Sequence, residues 1–334
     1  MYKDRIKCFE ELEKKRDSII ISYITGDRPM FETKIHSEVY DFFVDHLDKI
    51  GVVKKISLFL YTRGGDTLAA WSLVNLIKQF CSDFEIIVPS KAQSAGTLMC
   101  LGSNRIIMTK QATLGPIDPS ITTPLNPSIP GGPPEAKYPV SVEAINGYLD
   151  LSKELLALDK NFNLNSVLLK LSENVHPLVL GHVFRSKTQI KMLAKKLLAS
   201  HISEEEKVEK IINFLSSESG SHDYTIHRRE AKNELGLNIE KPDDELYKII
   251  KNLYDNISDE LELNVRFDPN TYLGSQNNVN YSFKRGLVES ISGGSHYFVS
   301  EGTLSKNAIN LPGGISQVQI QDNRKFEGWR YEKI

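Results

Sequence analysis

The sequence predicts an α/β fold: a mostly parallel sheet with flanking helices, followed by a helical region and a small β-rich C-terminal tail. Three observations lead there. Between residues 17 and 108, short apolar runs rich in β-branched residues alternate with stretches of helical periodicity. The runs are continuously apolar, as strands covered on both faces are. Beyond Asp259 the text changes to short β-type segments separated by glycines and polar residues.

Residues 3 to 16 read as an amphipathic helix with Ile6, Phe9 and Leu12 on one side, either an arm onto a neighbouring subunit or a capping helix. Asp17 to Thr25 is a strand and Gly26 to Met30 a loop. A helix from about Lys34 to Ile50 carries Val39, Phe42, Phe43 and Leu47 at helical spacing. Ile56 to Tyr61 is a buried strand, Gly64 and Gly65 a turn free to take unusual dihedrals, and Asp66 the cap of a helix containing Leu68, Trp71, Val74 and Leu76. Phe84 to Pro89 is the next strand. Ser94 stands ahead of the apolar run Leu98-Met-Cys-Leu101, which opens another helix, and Arg105 to Met108 is a further strand. Sites in such sheets lie beyond the carboxyl ends of the strands, where both of these turns fall.

Eight of the 14 prolines then fall between Gly115 and Pro139, so this segment is a long ordered loop or a mobile lid. Val142 to Leu158 resumes helical periodicity, and residues 160 to 217 are mostly helical. Ser221 to His227 is a polar break, followed by a helix over 228 to 235, a stop at Gly236 and a helix over 243 to 258. Short strands are expected at Glu262 to Phe267, Val279 to Phe283, Gly286 to Ile291, His296 to Ser300 and Gln317 to Ile320, with Gly293-Gly294 as a hairpin turn. The domain reading is a core over 1–160, a helical region over 161–258 that completes or extends it, and a β-rich extension over 259–334.

Composition bounds the function. With 334 residues, 40% hydrophobic and 25% charged, the chain can bury a sizeable core. A net charge of -2 gives no electrostatic case for nucleic acid, although Ile226-His-Arg-Arg-Glu-Ala superficially resembles the start of a helix-turn-helix. Cys8, Cys81 and Cys100 suggest neither a disulfide framework nor a metal knuckle, which fits a cytoplasmic protein with no metal and no cofactor. No apolar run approaches the length that spans a bilayer, so no integral membrane segment is expected.

Two phrases carry the chemistry, Tyr61-Thr-Arg-Gly-Gly-Asp66 and Lys91-Ala-Gln-Ser-Ala-Gly-Thr97. Alone, the first is commonly a turn with a cap and the second a closely packed helix start. Together, separated by a strand, they put a serine hydroxyl near backbone N–H groups left unpaired by a turn. That is the arrangement acyl transfer needs, because the tetrahedral intermediate places charge on one oxygen beside the nucleophile.

These phrases, with Leu114-Gly-Pro-Ile-Asp-Pro119, resemble the Clp-protease/crotonase superfamily, and within it the serine dehydrogenase proteinase family, relatives of signal peptide peptidase A. The resemblance covers residues 18 to 160 well and the helical part to about 240 more loosely. It implies a Clp-protease/crotonase-like core and an ATP-independent serine endopeptidase acting through an acyl-enzyme on a peptide or protein substrate. It also implies a homo-oligomer: a trimer, hexamer or larger ring. Ser94 is then the nucleophile, Gly65 and Ala95 supply oxyanion N–H groups and Gly64 makes the turn possible. Arg63 would help shape a groove in which substrate lies as an added strand.

Where Clp proteases carry the base histidine, some two dozen residues after the serine, this chain has none; no histidine lies between His46 and His176. The resemblance to signal peptide peptidase A implies a Ser-Lys dyad instead, with Lys137, at the end of the proline-rich segment, as the base. His222, with Asp223 beside it, is the alternative. Asp118 would orient Lys137 or cap a turn. Two other functions share the fold: a crotonase-type acyl-CoA enzyme, and a catalytically inactive assembly or interaction protein.

Overall fold

The computed structural model describes residues 2–118, 120–156, 164–218, 220–311 and 315–332. The chain falls into two compact units, one made of Met1–Thr113 with Leu237–Ile334 and the other of Leu114–Gly236. In the first, α1 (Tyr2–Arg16), β1 (Ile19–Thr25), α2 (Tyr40–Ile50), β2 (Val53–Tyr61), α3 (Thr67–Phe80), β3 (Cys81–Val88), β4 (Lys91–Ala92), α4 (Ala95–Leu101) and β5 (Arg105–Met108) follow in order, and β6 (Thr113–Leu114) falls where the chain passes to the second. The second contains β7 (Ser120–Ile121), β8 (Val140–Ser141), α5 (Val142–Leu156), α6 (Leu164–Asn174), α7 (Pro177–Leu198), α8 (Glu205–Asn213), β9 (Ile226–His227) and α9 (Arg228–Asn233). The chain then returns to the first unit as β10 (Ile239–Glu240), α10 (Asp244–Glu260), α11 (Pro269–Leu273), β11 (Asn278–Ser290), β12 (Gly294–Leu311) and β13 (Ile315–Glu332).

One eight-stranded sheet, in the order β10-β5-β3-β2-β1-β11-β12-β13, organises the first unit. Its β10, β5, β3, β2 and β1 pair in parallel, with Ile19 opposite Ile56 and Ile56 opposite Phe84. Both faces are covered, which explains the uninterrupted apolar runs. Ile20 and Ile24 of β1 join a core with Phe9 and Leu12 of α1 and Ile250, Leu253 and Ile257 of α10. Tyr23, between them, turns the other way, edge-on to Phe43 of α2 at 5.4 Å between ring centroids. Thus α1, left open in the sequence as an arm or a cap, packs on the core of its own chain. Among the described residues no helix is long and apolar enough to cross a membrane.

The C-terminal strands continue this sheet. β11 pairs antiparallel with β1, Glu289 opposite Ser22 and Gly286 opposite Thr25, and β12 and β13 add beyond it. Three long strands stand where five short ones were expected. The break read between Phe283 and Gly286 is a bulge within β11, a shift of register that leaves the strand continuous. No strand forms over 262–267, because α10 runs on to Glu260 and Glu262 takes a positive φ of 51° in the turn that closes it. The proline-rich segment is folded back on itself: Ile121 pairs with Val140, Tyr138 N–H donates to Pro127 O at 2.8 Å, and the Asn126 amide donates to Ile121 O and Tyr138 O at 2.7 and 2.8 Å.

Buried charges tie the two ends of the first unit together. Arg5, fully buried, donates from Nε to Glu289 Oε2 at 2.9 Å and from Nη2 to Tyr297 Oη at 2.8 Å, and also pairs with Glu260. Burial pushes the Glu260 carboxyl up, but hydrogen bonds from Lys284 and Arg5 outweigh it and hold the group at about 2. Arg5→Met should leave Glu289 buried without a cation and lower stability by roughly 3–5 kcal/mol in denaturant titration. Because the folded-state value of Glu260 is depressed, its contribution is present above the ordinary carboxylate range and lost as pH falls toward 2. The Arg5→Met protein should therefore show a shallower loss of stability on acidification, whereas an unchanged denaturation midpoint would contradict this account.

Candidate active site

Beyond β2 the chain stays extended through Thr62, which forms an isolated parallel bridge with Ala92. Thr62 N–H donates to Lys91 O and Gln93 N–H donates to Thr62 O, each at 3.1 Å. This bridge sets the turn at 63–66 beside the turn at 93–95. The buried Thr62 hydroxyl reinforces it, since its Oγ1 accepts from Gly64 N–H at 2.9 Å and from Thr25 Oγ1 at 2.7 Å.

The two turns touch. Gly64 has φ 111°, and a Cβ there would lie 2.7 Å from Ser94 Cβ and 3.2 Å from Ala95 N, so only glycine allows the approach. Closeness on the helix side is set by Gly96, where a Cβ would meet Thr62 Cγ2 at 2.4 Å. Ser94, half-buried, sits at φ 51° and ψ -117°, a conformation that costs a non-glycine residue about 1–3 kcal/mol. Its side chain makes no capping bond to α4, so the hydroxyl is not tied up at the helix end.

Gly64, Gly65 and Ala95 differ in what their amides do. The Gly64 N–H is taken by Thr62. Ile35 occupies one edge of the diglycine turn, its N–H donating to Gly64 O at 2.9 Å and its O accepting from Asp66 N–H at 2.8 Å. Successive residues of an extended segment turn their polar groups to opposite edges, so Gly65 N–H points away from Ile35. Among the described residues neither Gly65 N–H nor Ala95 N–H has an acceptor. The pairing also explains why α2 starts at Tyr40 and not near Lys34: Ile35 must stay extended to edge the turn. Asp66 caps α3, its Oδ1 accepting from Leu68 N–H at 2.7 Å and Ala69 N–H at 3.1 Å, and Arg63 is exposed.

In the second unit Asp118 is buried and its Oδ1 lies 2.8 Å from Nδ1 of His222, 104 residues away. Ile117 N–H, donating to Leu215 O at 2.8 Å, fixes the segment ahead of it. The ring of His222 is half-exposed, and its hydrogen bond with Asp118 holds it above the ordinary histidine value against the effect of burial. With Nδ1 bound to a carboxylate, the neutral ring keeps its proton there and presents Nε2 as the basic atom. The sequence offered Asp223 as the neighbour of His222 and a turn or Lys137 as the partner of Asp118; the hydrogen bond instead joins Asp118 to His222. Lys137 is half-exposed, with Nζ donating to Ser128 Oγ at 2.8 Å. Among the described residues no group of three or more His, Cys, Asp or Glu could hold a metal ion.

Residues 1–133 match the family described as ClpP-like SDH-type serine proteinase, which bears out over that span the resemblance carried by the motifs. An uncharacterized protein of Methanocaldococcus jannaschii is 28% identical over 244 residues, covering 71% of this chain and 73% of its own length. A second uncharacterized protein of that organism is 29% identical over 125 residues, and there the match spans 35% of this chain and only 42% of the relative. Among solved structures, a mutant of the 1510-N membrane-bound stomatin-specific protease in complex with a substrate peptide is 17% identical, with a TM-score of 0.38, over 68% of this chain and 76% of that one. A ClpP1 mutant from Listeria monocytogenes is 14% identical, with a TM-score of 0.35, over 70% of this chain and 99% of that one.

Gly64→Ala tests the contact between the turns. The added methyl group meets Ser94, and its backbone is strained whatever the space, so stability should fall by about 1–3 kcal/mol. If Ser94 is the nucleophile, its reaction with a fluorophosphonate should slow by roughly a hundredfold or more, because the amides beside it are displaced. An unaltered labelling rate would show that this approach does not matter to the hydroxyl.

Proposed function

We propose that this chain, whose first 133 residues match a family of serine proteinases, is an ATP-independent serine endopeptidase that cleaves peptides or protein segments through an acyl-enzyme on Ser94. One observation carries the reading: a serine held at positive φ, released from capping, packed against a diglycine turn, with two backbone N–H groups that lack acceptors among the described residues. A crotonase-type acyl-CoA enzyme would use the two N–H groups as well, but it has no need of a strained, uncapped serine between them. The resemblance brings with it a homo-oligomer.

The steps follow from what each group can do. Ser94 Oγ attacks the scissile carbonyl carbon while its proton passes to a base. The carbonyl electron pair becomes an oxyanion that accepts from Gly65 N–H and Ala95 N–H. The intermediate collapses, the C–N bond breaks, and the leaving amine takes the proton from the conjugate acid of the base. Water then hydrolyses the ester by the same sequence, regenerating Ser94.

For the base, local chemistry favours His222, held by Asp118, over Lys137. A lysine must be kept dry to accept a proton near neutral pH. Lys137 is half-exposed and already donating to Ser128. His222 has its ring oriented by a buried carboxylate, the standard means of fixing a tautomer and stabilising the imidazolium. Support comes from the internal geometry of each unit.

The test is fluorophosphonate labelling. Ser94→Ala should abolish it, His222→Ala should slow it by roughly a hundred- to ten-thousandfold, and Lys137→Ala should leave it within a few fold of the parent rate. The neutral ring is the active form, so the rate should rise with pH and reach half its maximum above the ordinary histidine value of 6.5. Loss of labelling in Lys137→Ala with retention in His222→Ala would return the base to the lysine. No labelling of the folded parent protein would overturn the hydrolase reading.

A further inference from the structure

Two carboxyl groups that act on His222 have hydrogen bonding that does not close. Asp118 presents Oδ1 to the imidazole, and its Oδ2 is buried with no donor among the described residues. Glu143, in the first turn of α5, likewise has Oε1 buried without a donor. An ionised carboxylate can only accept, so two such oxygens left bare are costly. They also belong to groups that influence each other electrostatically. Burial raises Glu143 above the ordinary carboxylate value, and Asp118 raises it further, against the opposing pull of His222. The start of a helix would by itself favour the ionised form, so the upward direction is set by burial and by the neighbouring carboxyl.

A single proton resolves both defects. A neutral Glu143 has an O–H to donate, and the antiparallel pairing of Ser120 with Ser141 brings Glu143, two residues after β8, toward Asp118, two residues before β7, whose Oδ2 lacks a donor among the described residues. Protonation also removes the repulsion between two buried negative charges.

We propose that Glu143 is a positioning residue, carried as the neutral acid and donating its proton to Asp118 Oδ2, so that Asp118 is held with Oδ1 on His222. Asp118 then stays on the imidazole, and of the two further carboxyl groups that act on the ring, Asp223 and Glu143, a neutral Glu143 leaves Asp223 alone to raise it. Glu143 acts through Asp118 and touches no substrate. This inference rests on the base assigned above only where activity is the readout, because the titration of His222 reports on it directly.

The experiment compares Glu143→Gln, whose amide can still donate, with Glu143→Leu, which cannot. In the full chain, the His222 ring is followed by NMR titration and Ser94 by fluorophosphonate labelling, with circular dichroism confirming the fold. The Gln variant should titrate His222 within about half a pH unit of the parent and label within a few fold of its rate. The Leu variant should label roughly tenfold or more slowly and show a displaced His222 titration. The infrared band of a buried protonated carboxyl should be present in the parent and missing from both variants. If Glu143 is instead ionised, Gln removes a negative charge and lowers the His222 midpoint by more than half a unit, and the proposal fails. It fails equally if the Gln and Leu proteins behave alike. Should the Leu protein not fold, the Gln titration and the infrared band still decide. If the parent protein takes no label, the peptidase reading is lost while the titration continues to judge Glu143.

Discussion

The bridge between Thr62 and Ala92 is the contact on which the candidate site depends. A parallel sheet delivers the ends of β2 and β3 to one edge, but not to a defined separation of the loops that follow. Two backbone bonds at Thr62 set that separation, and the Thr62 hydroxyl fixes the turn from inside by accepting from Gly64 N–H. The absence of a side chain at Gly64 and Gly96 then lets the loops close to van der Waals contact. Donors held this way would need no reorganisation if charge developed beside them, as the proposed acyl transfer requires.

The same economy of backbone groups explains the roles of neighbouring residues. Ile35 takes one edge of the diglycine turn, and by doing so leaves Gly65 N–H on the other. Asp66 removes two further amides by capping α3. Among the described residues the amides of Gly65 and Ala95 are left without acceptors, beside a serine whose own conformation is strained. Strain of that kind persists only where surrounding contacts over-determine it, and here the bridge, the cap and the two close approaches do so.

Around this centre the first unit is assembled from distant parts of the chain. β11 closes against β1, and Arg5 in α1 reaches Glu289 in β11 and Glu260 in α10. A second set joins Arg16, Lys55 and Arg105 around the buried Glu85. Such buried pairs are weak sources of net stability compared with apolar packing, but leaving one half unpaired is expensive. They therefore favour one arrangement of α1, β11 and α10 over alternatives that bury the same apolar area. In the second unit Asp118 and His222 follow the same logic on a smaller scale, a buried carboxylate answered by one ring.

Local patterns determined a good deal. The order of strands and helices from residue 17 to 108, the capping by Asp66, the glycine turn and the prominence of Ser94 follow from periodicity, residue size and dihedral freedom, which act over a few residues and can be read in place. Pairings between distant residues were decided only in three dimensions. That β11 extends the core sheet, that the break near Lys284 is a bulge, that Ile35 stays extended to edge the turn, and that Asp118 answers His222 across 104 residues each depend on a partner that sequence spacing does not specify. A hydrogen bond or strand register is a property of two segments, and either segment alone is compatible with many partners. Tertiary packing selects one by excluding the others sterically and by giving most buried polar groups a counterpart.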